Sequence, residues 1–133
     1  MATTYNYGED DARVEIITAA TTLTASDSGK TFTLSAAAGA NITLPGVARG
    51  LNYRFTVGLS FITTAWTVTA ATAVIQGNVV VAGAHVAGAN ESLVTFAHAA
   101  ESVGDYVYIW SDGTNWYIEG SAVTTAGITL TAP

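Results

Sequence analysis

Asp105-Tyr106-Val107-Tyr108-Ile109-Trp110-Ser111-Asp112-Gly113-Thr114-Asn115-Trp116-Tyr117-Ile118-Glu119 reads as two alternating aromatic runs joined by a turn. Tyr106, Tyr108 and Trp110 fall on one face of the first run, with Val107 and Ile109 on the other, the period of two that a strand imposes. Asp112-Gly113 makes the tight turn, because glycine tolerates positive φ and an aspartate side chain hydrogen-bonds its own turn backbone. Both faces are apolar, so the hairpin is expected to be covered on two sides, inside a sandwich or at a subunit interface.

Outward from the hairpin the same signals repeat. Leu51, Tyr53, Phe55, Val57 and Leu59 share one face and Asn52, Arg54, Thr56 and Gly58 the other, which predicts a core strand. Shorter strands are expected over Val14 to Ala20, Thr22 to Ala25, Phe32 to Leu34, Trp66 to Ala70, Leu93 to Phe96 and Gly127 to Thr131. Another follows a turn at Gln76-Gly77-Asn78 and contains Val79 and Val81. Ile42 to Leu44 reads as a short or edge strand ended by Pro45, which has no N–H to donate. Ala82 to Ala89 and Ala97 to Val103 read as loops, and no internal repeat emerges. Strand-length pieces punctuated by Gly, Asn and Ser at roughly ten-residue spacing define an all-β class. The expectation is one domain over 14–133, an antiparallel β-sandwich of jelly-roll type or a β-barrel. An extended N-terminal arm over 1–13 carries Tyr5, Tyr7 and the acids Glu9, Asp10 and Asp11.

Composition narrows the function. Charged residues are 11% of the 133, against about 25% in an average globular protein. Solubility therefore falls to Thr, Ser, Asn and Gly, and such an exterior is easily desolvated against another protein, which points to a homo-oligomer. A formal charge of −6 with only Arg13, Lys30, Arg49 and Arg54 as cations argues against nucleic acid, whose phosphates need Lys and Arg. No cysteine means no disulfide, thiolate metal site or Cys nucleophile. The N-terminus lacks the basic-then-apolar order of a signal peptide, and no apolar run nears the roughly 20 residues of a membrane helix. We therefore expect no membrane partner and synthesis in the cytoplasm.

The candidate chemistry is thin. Gly29-Lys30-Thr31 resembles the end of a phosphate loop, but Thr24 stands where its first glycine belongs, and the alternation of Phe32, Thr33 and Leu34 leaves no helix N-terminus, so a turn with a solvated lysine is expected. His85 and His98 have no second ligand at metal spacing. Asp105, Asp112, Glu119 and Glu101 could on paper supply a carboxylate pair, but the turn and the strand ends explain them better. No catalytic, cofactor or metal residue is assigned. Trp66, Trp110, Trp116, Tyr106, Tyr108 and Tyr117 could form a sugar-stacking platform. Tyr53, Phe55, Tyr106, Tyr108, Trp110 and Trp116 are read instead as core or subunit-interface residues.

Asp27-Ser28-Gly29-Lys30-Thr31-Phe32, Ile42-Thr43-Leu44-Pro45, Gly50-Leu51-Asn52-Tyr53-Arg54-Phe55, Ile75-Gln76-Gly77 and Asp112-Gly113-Thr114-Asn115-Trp116-Tyr117 together resemble small β-rich virion proteins of tailed bacteriophages. The likeness is to capsid decoration, or cement, proteins, and related modules occur in tail fibres and receptor-binding tips. It covers roughly residues 23–120 and is carried by turns and core strands. It implies a structural virion protein on the outer capsid surface, trimeric, with an N-terminal arm on the major capsid protein. The short chain with its own initiator Met fits a free-standing decoration protein. The alternative that it implies is a tail module reading host glycans.

Overall fold

The computed structural model describes residues 13–72 and 74–132. Twelve strands run in chain order as β1 (Val14–Ile17), β2 (Thr21–Thr22), β3 (Thr31–Leu34), β4 (Asn41–Thr43), β5 (Asn52–Val57), β6 (Trp66–Thr69), β7 (Ile75–Val81), β8 (Ala84–Glu91), β9 (Leu93–Phe96), β10 (Tyr106–Ser111), β11 (Trp116–Ala122) and β12 (Ile128–Thr131). One 3₁₀ turn, Ala25–Asp27, is closed by reciprocal bonds between Thr24 and Asp27. A seven-stranded sheet ordered β1-β3-β5-β10-β11-β7-β8 packs on a five-stranded sheet ordered β12-β9-β6-β4-β2. The chain is an all-β sandwich.

The sheets are mixed rather than antiparallel throughout. From β1 to β7 the chain alternates between the layers, so β1, β3 and β5 lie parallel in one sheet and β2, β4 and β6 parallel in the other. Antiparallel pairing enters with the hairpins β7–β8 and β10–β11 and with β9 between β6 and β12. Two local expectations are corrected. Gln76 to Asn78 lie inside β7, where Gly77 takes φ +121 beside a register shift at Ile75/Gln76 and the strand continues as a bulge. Of the stretch Ala82 to Ala89, expected as loop, all but Ala82 and Gly83 belong to β8, an edge strand whose ladder to β7 holds small residues that carry no alternation signal. Ile42 to Leu44 contributes a short strand as expected, but β4 is internal, between β6 and β2.

The core lies between the layers. Phe32, Leu34, Tyr53, Phe55, Val57, Val107, Ile109, Trp116 and Ile118 enter it from the larger sheet, and Ile42, Trp66, Val68, Val94, Phe96 and Ile128 from the smaller. Phe32 and Phe55 stack at 5.7 Å, and Tyr53 tilts against Trp116 at 5.9 Å. Strand directions sort the connections to two ends. Residues 18–20, 35–40, 58–65, 82–83, 97–105 and 123–127 gather at the distal end, where β3 and β5 finish, while 23–30, 44–51, 70–74 and 112–115 gather at the proximal end, where the chain enters at Arg13.

Candidate functional site

The outer face of the seven-stranded sheet carries the densest cluster of functional side chains. On β10, Val107 and Ile109 point into the core, so the pleat places Tyr106, Tyr108 and Trp110 outside, where each is half-buried. Register then sets their neighbours: Arg54 of β5 stands opposite Tyr108, and Tyr117 of β11 opposite Trp110. The Arg54 guanidinium lies over the rings of Tyr106 and Tyr108, 5.4 and 5.3 Å from their centroids. Tyr108 stacks on Trp110 at 5.3 Å, and Trp110 on Tyr117 at 6.0 Å. Tyr117 donates its hydroxyl proton to Asp112 Oδ2 at 3.0 Å, while Asp112 Oδ1 accepts the backbone N–H groups of Thr114 and Asn115. Those backbone bonds come first among the causes that lower the Asp112 pKa. The result is a ladder of four rings and one guanidinium whose members face each other.

Three charges border or enter the ladder on the outer face: Arg54, Asp112 at its proximal end, and Glu119, exposed on β11 directly opposite Tyr108. Thr31, Thr33 and Thr56 flank the ladder, and Val14 and Ile16 on β1 stand 61% and 68% exposed. A shallow pocket of about 310 Å³ opens at its proximal edge, lined by Gly50, Leu51, Asn52, Tyr108, Trp110 and Ser111.

The residues singled out in the sequence separate into three groups. Tyr53, Phe55 and Trp116 are buried core residues, and Tyr106, Tyr108 and Trp110 form the outer ladder. Tyr5, Tyr7, Glu9, Asp10 and Asp11 lie outside the described residues. The solvated lysine is corrected: Lys30 is 4% exposed and its ammonium meets Asp27 at 3.1 Å and Glu15 at 3.4 Å. His85 is exposed and shares a 2.9 Å hydrogen bond with Asn78, and His98 is exposed on a distal loop. Asp105 is buried and ties loops, its carboxylate accepting the N–H groups of Ser102 and Val123, and Glu101 accepts from Ser60 Oγ and Phe61 N. Among the described residues no three His, Cys, Asp or Glu side chains gather as a metal site.

Arg54 is the ladder member that sequence reading missed. Its position on the polar face of a core strand was plain, but nothing in the sequence places β5 beside β10. Compared with family models, curated proteins and solved structures, the chain matches none.

Proposed function

We propose that this chain is a structural virion protein that decorates a bacteriophage capsid as a homo-oligomer. It works without cofactor, metal or nucleic acid. The observation that carries the reading is the outer ladder of Tyr106, Tyr108, Trp110, Tyr117 and Arg54. Tyr, Trp and Arg are the residues that dominate protein–protein binding energy, and here they are gathered on one sheet face, the rings half-buried and Arg54 exposed beside them. The resemblance to decoration proteins points the same way and supplies the partner, the major capsid protein. In this reading the ladder and the arm residues Tyr5, Tyr7, Glu9, Asp10 and Asp11 seat the module, the acids meeting basic capsid residues. Weak contacts repeated across an oligomer suffice, because each bound copy raises the effective concentration of the next.

Quantitative mass spectrometry of purified virions tests this. Copies on a par with the major capsid protein are expected, whereas a handful per particle would move the module to the tail and absence would end the virion reading. A second reading, a tail module for host glycans, draws on the pocket beside Trp110. Sugar stacking needs an open ring face, however, and Trp110 has Tyr108 and Tyr117 stacked against it. Quenching or protection of tryptophan fluorescence by host polysaccharide would favour that reading.

A further inference from the structure

We infer that the distal loop end is the surface through which copies of this chain associate. Among the described residues, three of the five large hydrophobic side chains that stand exposed sit there on three separate loops: Ile62 at 79%, Val103 at 68% and Val123 at 74%. Only two described acids, Glu101 and Asp105, and no described Lys or Arg belong to the distal connections. Both acids turn inward as buckles. Glu101 binds Ser60 Oγ and Phe61 N of the loop that bears Ile62, and Asp105 binds Val123 N. The three aliphatic tips are thereby fixed relative to one another before any partner arrives, which lowers the entropy cost of binding.

Backbone strain marks the same surface. Ala82, Ala99 and Ala126 adopt φ of +50, +64 and +64, and all three lie in distal connections. Glycine would take these angles freely, so the chain holds methyl groups there at a conformational cost. The fourth described non-glycine residue at positive φ, Asn90, lies near the end of β8.

Charge selects the occupant. A chain of net charge −6 repels its own copies wherever acids face acids, and among the described residues this end holds only the half-buried Glu101 and the buried Asp105, each hydrogen-bonded within the chain. Asp27, Glu91 and Asp112 lie at the opposite, proximal end. An anionic membrane surface or a nucleic acid would require cations that this end lacks. The inference rests on the oligomeric reading of the chain and names its contact.

Sedimentation equilibrium across a range of protein concentrations tests it on the full chain. Wild type is expected above the 13.6 kDa of one copy. The triple variant Ile62→Lys, Val103→Lys, Val123→Lys should fall to one copy with an unchanged circular dichroism melt, since all three positions are exposed. Ile16→Lys, equally exposed but on the outer sheet face, should keep the wild-type mass. A wild type that stays at one copy, or a triple variant as heavy as wild type, would overturn the inference. Virion copy number is read separately, so a monomeric protein found at capsid stoichiometry would end this inference and leave the decoration reading standing.

Discussion

Lys30 holds an ammonium group almost out of water between Asp27 and Glu15, and the charges there set how stability varies with pH. Burial opposes the charge on Asp27, but the Thr24 amide and the Lys30 ammonium outweigh it and lower its pKa from 3.8. A lowered acid stabilises the fold above its unfolded pKa and loses that contribution as pH falls through the folded value. Urea midpoints of Asp27→Asn should therefore lie below wild type at pH 7 and converge with it below about pH 4. Lys30 shows the opposite sign: burial opposes its charge, the two carboxylates more than restore it, and its contribution fades only above 10.5. Lys30→Met should cost about 2–3 kcal/mol, less than a fully enclosed pair because Glu15 is 40% exposed and can turn to water. Tyr53 lies beside them, its hydroxyl donating to Thr24 O at 2.8 Å, and burial followed by the Asp27 charge pushes its pKa up to about 12. An ultraviolet alkaline titration should show a tyrosine ionising near pH 12, absent from Tyr53→Phe, and stability should fall between pH 10 and about 12, where the unfolded chain has already lost that proton. Nothing in the sequence announced this cluster. A lysine after Gly29 looks like a turn residue, and only the parallel pairing of β1 with β3 brings Glu15 over it.

β11 is the element that fixes the larger sheet, pairing antiparallel with β10 on one side and parallel with β7 on the other. Both neighbours approach it through glycine. A Cβ at Gly77 would collide with the Ile118 backbone, and one at Gly120 with the Tyr106 carbonyl. Gly120→Val should cost about 2–4 kcal/mol and quench the order of the outer ladder, because it forces β10 away where Tyr106 begins the stack. Thermal unfolding, with near-ultraviolet circular dichroism as the reporter of ring packing, checks both effects. The hairpin was legible because two aromatic runs and an Asp-Gly turn agree with one another within a few residues. So was the buried face of β5, where the alternation of Tyr53, Phe55 and Val57 against Asn52, Arg54 and Thr56 matches burial throughout. The alternation of the chain between layers was not legible. Parallel partners in the larger sheet lie 17 residues apart at Val14 and Thr31 but 23 apart at Thr31 and Arg54, and in the smaller sheet 21 apart at Thr21 and Ile42 but 26 apart at Ile42 and Val68. Loops of unequal length hide a repeated path behind an unrepeated sequence. β8 escaped for a different reason: Ala87, Gly88 and Ala89 have too little side chain to alternate, so only the backbone ladder to β7 makes them a strand.

Across the whole molecule, that path ties the two layers into one unit. β1, β3 and β5 alternate in sequence with β2, β4 and β6, so neither sheet can be assembled from a continuous stretch of chain. The internal strand β5 gains its second partner only when β10, the middle strand of the sheet, arrives some fifty residues later in the chain. Pairing of this kind must close long loops before any contact rewards them, which places folding in the slow range of about milliseconds to seconds for such topologies. It also predicts one cooperative transition, because opening either layer exposes the apolar face of the other. The chain carries its own reporters. Trp66 is buried from the smaller sheet and Trp116 from the larger, while Trp110 stands on the outer face. With Trp110→Phe removing the outer signal, single-tryptophan variants Trp66→Phe and Trp116→Phe leave one reporter in each layer. Their urea transitions should have the same slope as the far-ultraviolet circular dichroism signal of the same variant and a midpoint that coincides with it. Each substitution lowers stability through lost core contacts, so the comparison is made within each variant. A fluorescence transition for the Trp66 layer that precedes loss of β-sheet signal would mean that the five-stranded sheet opens alone, and that the alternating path does not couple the layers.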